Sequence, residues 1–204
     1  MNRPLALAGC SLCLAIAVGL FGEQGYLSLK ARLADHLIAH AFQAHLRDGG
    51  AHRPWSWADT HPIGKLEVPR LGVERILLAG ASGASLAFGV GHLDGTAAPN
   101  TAGNCCIAGH RDTVFGFLGE VRVGDLLWVE THEGRVAYRV ARREVRSMWD
   151  ANVLRATEQR RLTLITCWPL DEWRPGPERL VVVAEAEEET TEGEPLGGPT
   201  RRFR

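Results

Sequence analysis

The pattern of apolar and polar positions changes twice along the chain. Residues Pro4 to Phe21 are apolar or small throughout. As a helix of about 18 residues rising about 1.5 Å each, the stretch reaches about 27 Å, close to the hydrocarbon thickness of a bilayer. It predicts an uncleaved, single-pass membrane anchor over residues 1–25. A cleaved signal peptide is the rival, with Ala15-Ile16-Ala17 as the small-residue site, but it leaves a very short apolar core. From Tyr26 to Arg47 the period becomes helical: Leu29, Leu33, Leu37, Ile38 and Ala41 are apolar, with Lys30, Arg32, Asp35, His36 and His40 between them. This predicts an amphipathic juxtamembrane helix, ended by Gly49 and Gly50 and followed by a polar linker to residue 62.

From Ile63 the chain breaks into short apolar runs separated by Gly and Pro. They cover Lys65 to Val68, Arg75 to Ala79, Ala87 to Val90, Cys105 to Ala108, Leu126 to Glu130, Val136 to Arg146, Leu162 to Trp168 and Leu180 to Ala184. About eight closely spaced strands predict an all-β, closed barrel over residues 63–186. Val114 to Glu120 suits a short helical turn. No repeat, P-loop or dinucleotide fingerprint is present. Residues 187–204 are acidic and then Gly- and Pro-rich, the composition of a disordered tail.

At 204 residues, 45% of them hydrophobic, one full core is within reach. A net charge of -1 gives no general attraction to nucleic acid. Of the five cysteines, Cys10 and Cys13 lie in the apolar segment as small hydrophobes. Cys105, Cys106 and Cys167 belong to the barrel, and their odd number leaves a thiol unpaired. His36, His40 and His45 lack a further ligand set, so they read as solvated or interfacial, and no metal or cofactor is expected.

Candidate chemistry concentrates in two segments. Leu162 to Ala184 holds two strands joined by a loop containing Pro169, Pro175, Gly176 and Pro177. Alternation puts Leu162, Leu164 and Thr166 on one face and Thr163, Ile165 and Cys167 on the other. Cys167 thus stands at a strand end, and Arg179 carries a fixed charge into the next strand. Arg174, in the loop, is the competing cation. The second segment, Thr101 to Thr113, runs a strand into Gly109 and presents His110, an imidazole suited to exchanging protons with a thiol.

With those residues in view, the chain resembles the sortases, cysteine transpeptidases that anchor proteins at cell surfaces. The resemblance rests on Gly103-Asn104 with Ala108-Gly109-His110, and on Thr163-Leu164-Ile165-Thr166-Cys167 followed by Arg179. More narrowly it is similar to the proteobacterial type called class GN. That likeness is carried by Pro69-Arg70-Leu71-Gly72-Val73, Leu86-Ala87-Phe88-Gly89, Gly91-His92 with Gly95-Thr96-Ala97, and Gly109-His110-Arg111-Asp112-Thr113.

The resemblance implies a sortase-type barrel in which Cys167 attacks an LPXTG-like sorting signal of a dedicated secreted target and forms a thioester. His110 acts as general acid and then base, and Arg179 stabilises the oxyanion. An amine acceptor at the cell envelope completes the transfer. Thr166, His92 and Trp168 are expected to meet substrate, and Asp112 is weighed as an orienter of His110. It further implies an inner-membrane anchor with the catalytic domain in the periplasm. Two departures are Trp168 after the nucleophile and the pair Cys105-Cys106. On a regular strand Cys106 shares the face of His110, so a pairing with Cys167 stands open beside the simpler reading of two buried hydrophobes. Competing functions are a protease that only hydrolyses its signal, an L,D-transpeptidase, a zinc module drawing on His92, Cys105, Cys106, His110 and Cys167, and a non-enzymatic anchored domain that binds a partner.

Overall fold

The computed structural model describes residues 3–172, 174 and 176–187, with side chains from residue 22 onward apart from Ala84. The tail beyond residue 187 and the side chains of the apolar stretch Pro4 to Phe21 lie outside that description. Among the residues searched within it, no helix is long and apolar enough to cross a membrane.

Eight strands close into a barrel: β1 (Pro62–Val68), β2 (Val73–Leu78), β3 (Val90–His92), β4 (Asn104–Ala108), β5 (Leu126–Thr131), β6 (Gly134–Ser147), β7 (Arg161–Trp168) and β8 (Glu178–Ala186). Around the barrel they follow the order β1, β2, β3, β4, β7, β8, β6, β5, and β5 pairs with β1 to complete the ring. The β2–β3 and β4–β7 pairs are parallel and the others antiparallel. The alternation read from sequence is the alternation that fills the interior. Leu66 and Val68 of β1, Ile107 of β4, Leu162 and Leu164 of β7, and Leu180 and Val182 of β8 all join one core cluster.

The third strand lies later than expected. Ser82, with its side chain accepting from the Ser85 N–H, caps a single helical turn α2 (Gly83–Leu86), and Ala87 continues in helical geometry. The apolar run Ala87 to Val90 is therefore mostly a helix exit, and pairing begins only at Val90. The expected turn at Val114 to Glu120 is a 3-10 turn over Gly116–Gly119.

Helix α1 (Arg3–Asp48) joins the apolar segment to the amphipathic one without a break. It ends where Gly49 adopts φ +69° and its N–H reaches the His45 carbonyl at 2.8 Å, a left-handed cap that glycine takes without Cβ strain. The face it buries is turned from the expected one. Ala34, Ile38, Ala41, Phe42, Ala44 and His45 are buried, whereas Leu29 and Leu33 are exposed. The buried set recurs at helical spacing too, and packing against β1 and β2 selects it.

Candidate active site

Strands β4, β7 and β8 lie side by side and bring the three expected residues to one end of the barrel. In the parallel β4–β7 pair, Ala108 stands opposite Ile165, and the Gly109 N–H donates to the Ile165 carbonyl at 3.2 Å. The ladder stops there, and His110 follows in the turn at the same end of the sheet as Cys167. Across the antiparallel β7–β8 pair, Cys167 stands directly opposite Arg179. Since Leu162, Leu164, Leu180 and Val182 fill the core, strand alternation turns Cys167 and Arg179 to the outer face. Cys167 is a free, half-buried thiol, and His110 is exposed. Among the described residues, only Nη1 of the Arg179 guanidinium is engaged, donating to the carbonyls of Gly176 at 3.0 Å and Glu178 at 2.7 Å. Its Nε and Nη2 remain as donors. Arg174 is exposed in the preceding loop, where no strand fixes it.

The turn carrying His110 is tightly specified. A Cβ on Gly109 would lie 2.7 Å from the Phe115 ring, so only glycine lets the chain pass. Phe115 is fully buried, and its N–H holds the His110 carbonyl at 2.9 Å. Thr166, expected to meet substrate, has its hydroxyl buried and donating to the Gly109 carbonyl at 2.8 Å. Its backbone is paired opposite Leu180 in the β7–β8 ladder, so Thr166 supports the turn before His110 and is not turned to a ligand. His92 faces its own turn, with Nε2 2.8 Å from the Ala97 carbonyl and 3.1 Å from the Thr96 hydroxyl. Trp168 packs against the core from the parity opposite to Cys167. Neither side chain is placed beside the thiol by strand alternation.

Arg111 is the residue that sequence reading passed over as part of a motif. It is 4% exposed, with Nη1 and Nη2 donating to the carbonyls of Pro169 and Glu172. Its Nε lies 3.2 Å from Asp112 Oδ1. Asp112 is largely exposed and is engaged with Arg111, the neighbour of His110. Asn104 is the second such residue. Its carboxamide donates to the carbonyls of Val153 and Arg155 at 3.0 and 3.1 Å and accepts from Thr163 Oγ1 at 2.7 Å. It thereby ties the β6–β7 connection over the outer face. Its burial, invisible in sequence, is what distinguishes it from a surface Asn.

The extra thiols take no part in this site. Cys105 and Cys106 are buried and free. Burial pushes Cys105 up to about 12 and Cys106 up to about 11, so both stay protonated and inert at neutral pH. Cys106 stands opposite Thr163, four positions short of Cys167. At about 3.3 Å per residue that is roughly 13 Å, beyond the reach of about 7 Å that a disulfide allows between Cα atoms. Among the described residues, no group of three or more His, Cys, Asp or Glu is arranged to hold a metal ion.

A free thiol at a strand end, with a guanidinium on one adjoining strand and an imidazole in the turn that follows the other, is the equipment of a cysteine nucleophile working on acyl groups. Comparison with known proteins agrees. A family model described as the sortase domain matches residues 66–187, and the chain belongs to the sortase family, whose members are cysteine transpeptidases. Sortase D of Bacillus subtilis (strain 168) is 30% identical over 120 residues, which make up 58% of this chain and 61% of that protein. The chain thus matches somewhat less than two thirds of that relative's length. Among solved structures, sortase A from Corynebacterium diphtheriae has a TM-score of 0.60 at 26% identity, covering 67% of this chain and 66% of that one. A sortase D5 transpeptidase of Clostridium perfringens shares the fold at a TM-score of 0.64 and 22% identity, over 77% of this chain and 99% of that one.

Proposed function

We propose that the protein is a membrane-anchored sortase of the class GN type, which cleaves an LPXTG-like signal on a dedicated secreted target and transfers the new acyl end to an amine. The observation that carries this reading is the register: Cys167 opposite Arg179 across β7–β8, with the turn bearing His110 at the end of the parallel neighbour β4. Cys167 Sγ attacks the carbonyl of the signal's threonine, and the negative charge that develops on its oxygen is met by Nε and Nη2 of Arg179. His110 takes the proton from the Cys167 thiol and gives it to the departing amine, which leaves a thioester on Cys167. An incoming amine then loses its proton to His110, attacks the thioester carbonyl and releases the thiol. A thioester suits such a relay, being reactive toward amines while the thiolate is a good leaving group.

Anchoring rests on the apolar run Pro4 to Phe21, which leads by one unbroken helix into the segment docked on the barrel. In this reading the barrel faces the periplasm, where secreted targets pass. The class GN assignment rests on the motifs running from Pro69 to Val73, Leu86 to Gly89 and Gly109 to Thr113.

The test is product analysis. The full chain in detergent micelles is incubated with a panel of LPXTG-like peptides, with and without a small amine, beside Cys167→Ala, His110→Ala and Arg179→Ala. The expected result is a product carrying the amine from the wild type and none from Cys167→Ala. Arg179→Ala should lose on the order of 100-fold to 1000-fold in rate. Hydrolysed peptide alone, at every amine concentration, would replace transpeptidation by proteolysis.

A further inference from the structure

Resting on that reading, we propose that Arg111 is a positioning residue of the reaction, holding the nucleophile's loop and the histidine's turn in one frame. The β4–β7 ladder ends with the bond from Gly109 to the Ile165 carbonyl, short of both His110 and Cys167. Beyond that point their separation is fixed by side chains. On one side Thr166 ties back to the Gly109 carbonyl at 2.8 Å. On the other, Arg111, adjacent to His110, grips the carbonyls of Pro169 and Glu172, the first lying two residues after Cys167. The result is a short closed circuit from His110 through Arg111 to Pro169 and back to Cys167.

Guanidinium chemistry is specific to this task. Burying a cation is costly unless every donor is met, and at 4% exposure Arg111 is met by two loop carbonyls and, through Nε, by Asp112. A planar fork reaches two carbonyls in fixed directions, whereas the ammonium of lysine offers three donors from one point. A clamp that served only to keep the loop folded would need no place beside the histidine. This one spans the two residues that exchange a proton, where a misplacement of about 1 Å costs on the order of 100-fold in rate.

The test uses the full chain in detergent as wild type, Arg111→Ala, Arg111→Lys and His110→Ala, with thermal melts to confirm folding. The rate of Cys167 alkylation by iodoacetamide is followed across pH at the peptide level by mass spectrometry, a readout that needs no sorting signal. The expected result is that the Arg111→Ala profile collapses onto that of His110→Ala and that millimolar guanidinium restores it toward wild type. Arg111→Lys, which keeps the charge and is the variant more certain to fold, should fall with Arg111→Ala rather than with wild type. A folded Arg111 variant that keeps the wild-type profile overturns the proposal, as does a wild-type profile already identical to that of His110→Ala. Turnover of peptide is scored in parallel: about a 100-fold drop in kcat with little change in KM is expected. A wild type that alkylates as expected but turns over no peptide would count against the transpeptidase reading and leave the clamp standing.

Discussion

At the level of single residues, the barrel sets its thiols apart by burial rather than by chain position. Cys167 sits half-buried at a strand end, while Cys105 and Cys106 are enclosed five and four strand positions back. Enclosure has a consequence for stability. Cys105 and Cys106 hold their protons up to about 12 and about 11 because burial penalises the thiolate. Burial pushes Tyr138 up to about 12 as well. The unfolded chain loses the same thiol protons near 9, so above that pH the folded state binds more protons. Stability therefore falls as pH rises from about 9 toward 12. Denaturant titrations across that range should show the decline, and Cys105→Val should flatten it. An undiminished slope in the variant would mean that the thiol is not what the folded state keeps protonated.

At the level of elements, the site depends on how β4 stops. A Cβ on Gly109 would lie 2.7 Å from the Phe115 ring, so glycine is required where the chain turns from β4 to His110. Gly109→Ala should therefore lower the acylation rate on the order of 100-fold, with a smaller loss in melting temperature, measured by rapid-quench mass spectrometry beside a thermal melt. Wild-type kinetics would mean that the turn's exact course does not matter. Strand β1 was legible because its burial alternates, with Leu66 and Val68 inward, whereas β4, β7 and β8 are buried on both faces and were legible as short apolar runs bounded by Gly and Pro. The candidate residues Cys167, His110 and Arg179 stand out in the sequence because each lies at or just past a strand end close to Gly or Pro, and because Cys and His, unlike Arg, are scarce in the chain. Strand β3 was misplaced because Phe88 and Val90 are apolar in either state, and the Ser82 cap decides between them. The roles of Arg111 and Asn104 were hidden because they lie in partner carbonyls far along the chain, which no local pattern encodes.

For the molecule as a whole, α1 is a structural part of the domain, packed on β1 and β2. Ile38 and Phe42 are both 3% exposed against the barrel, and burying each contributes about 1.5–3 kcal/mol. The sequence pattern announced the helix but not its inward face, since Leu29 and Leu33 fit the same period and only docking decides between them. A fragment that begins at Ala51 should therefore melt roughly 10 °C or more below one that begins at Gly22, as read by circular dichroism; equal melting temperatures would show that the helix rests on the barrel without stabilising it. The proposed chemistry lies where β7 ends, with Cys167 opposite Arg179 and the turn bearing His110 following β4. Its most direct test is the intact mass of the protein during turnover of an LPXTG-like peptide. The account predicts an added mass equal to the acyl half of the peptide, located on Cys167, removed by hydroxylamine and absent from Cys167→Ala. An adduct that persists in Cys167→Ala, or product formation by that variant at the wild-type rate, would contradict it.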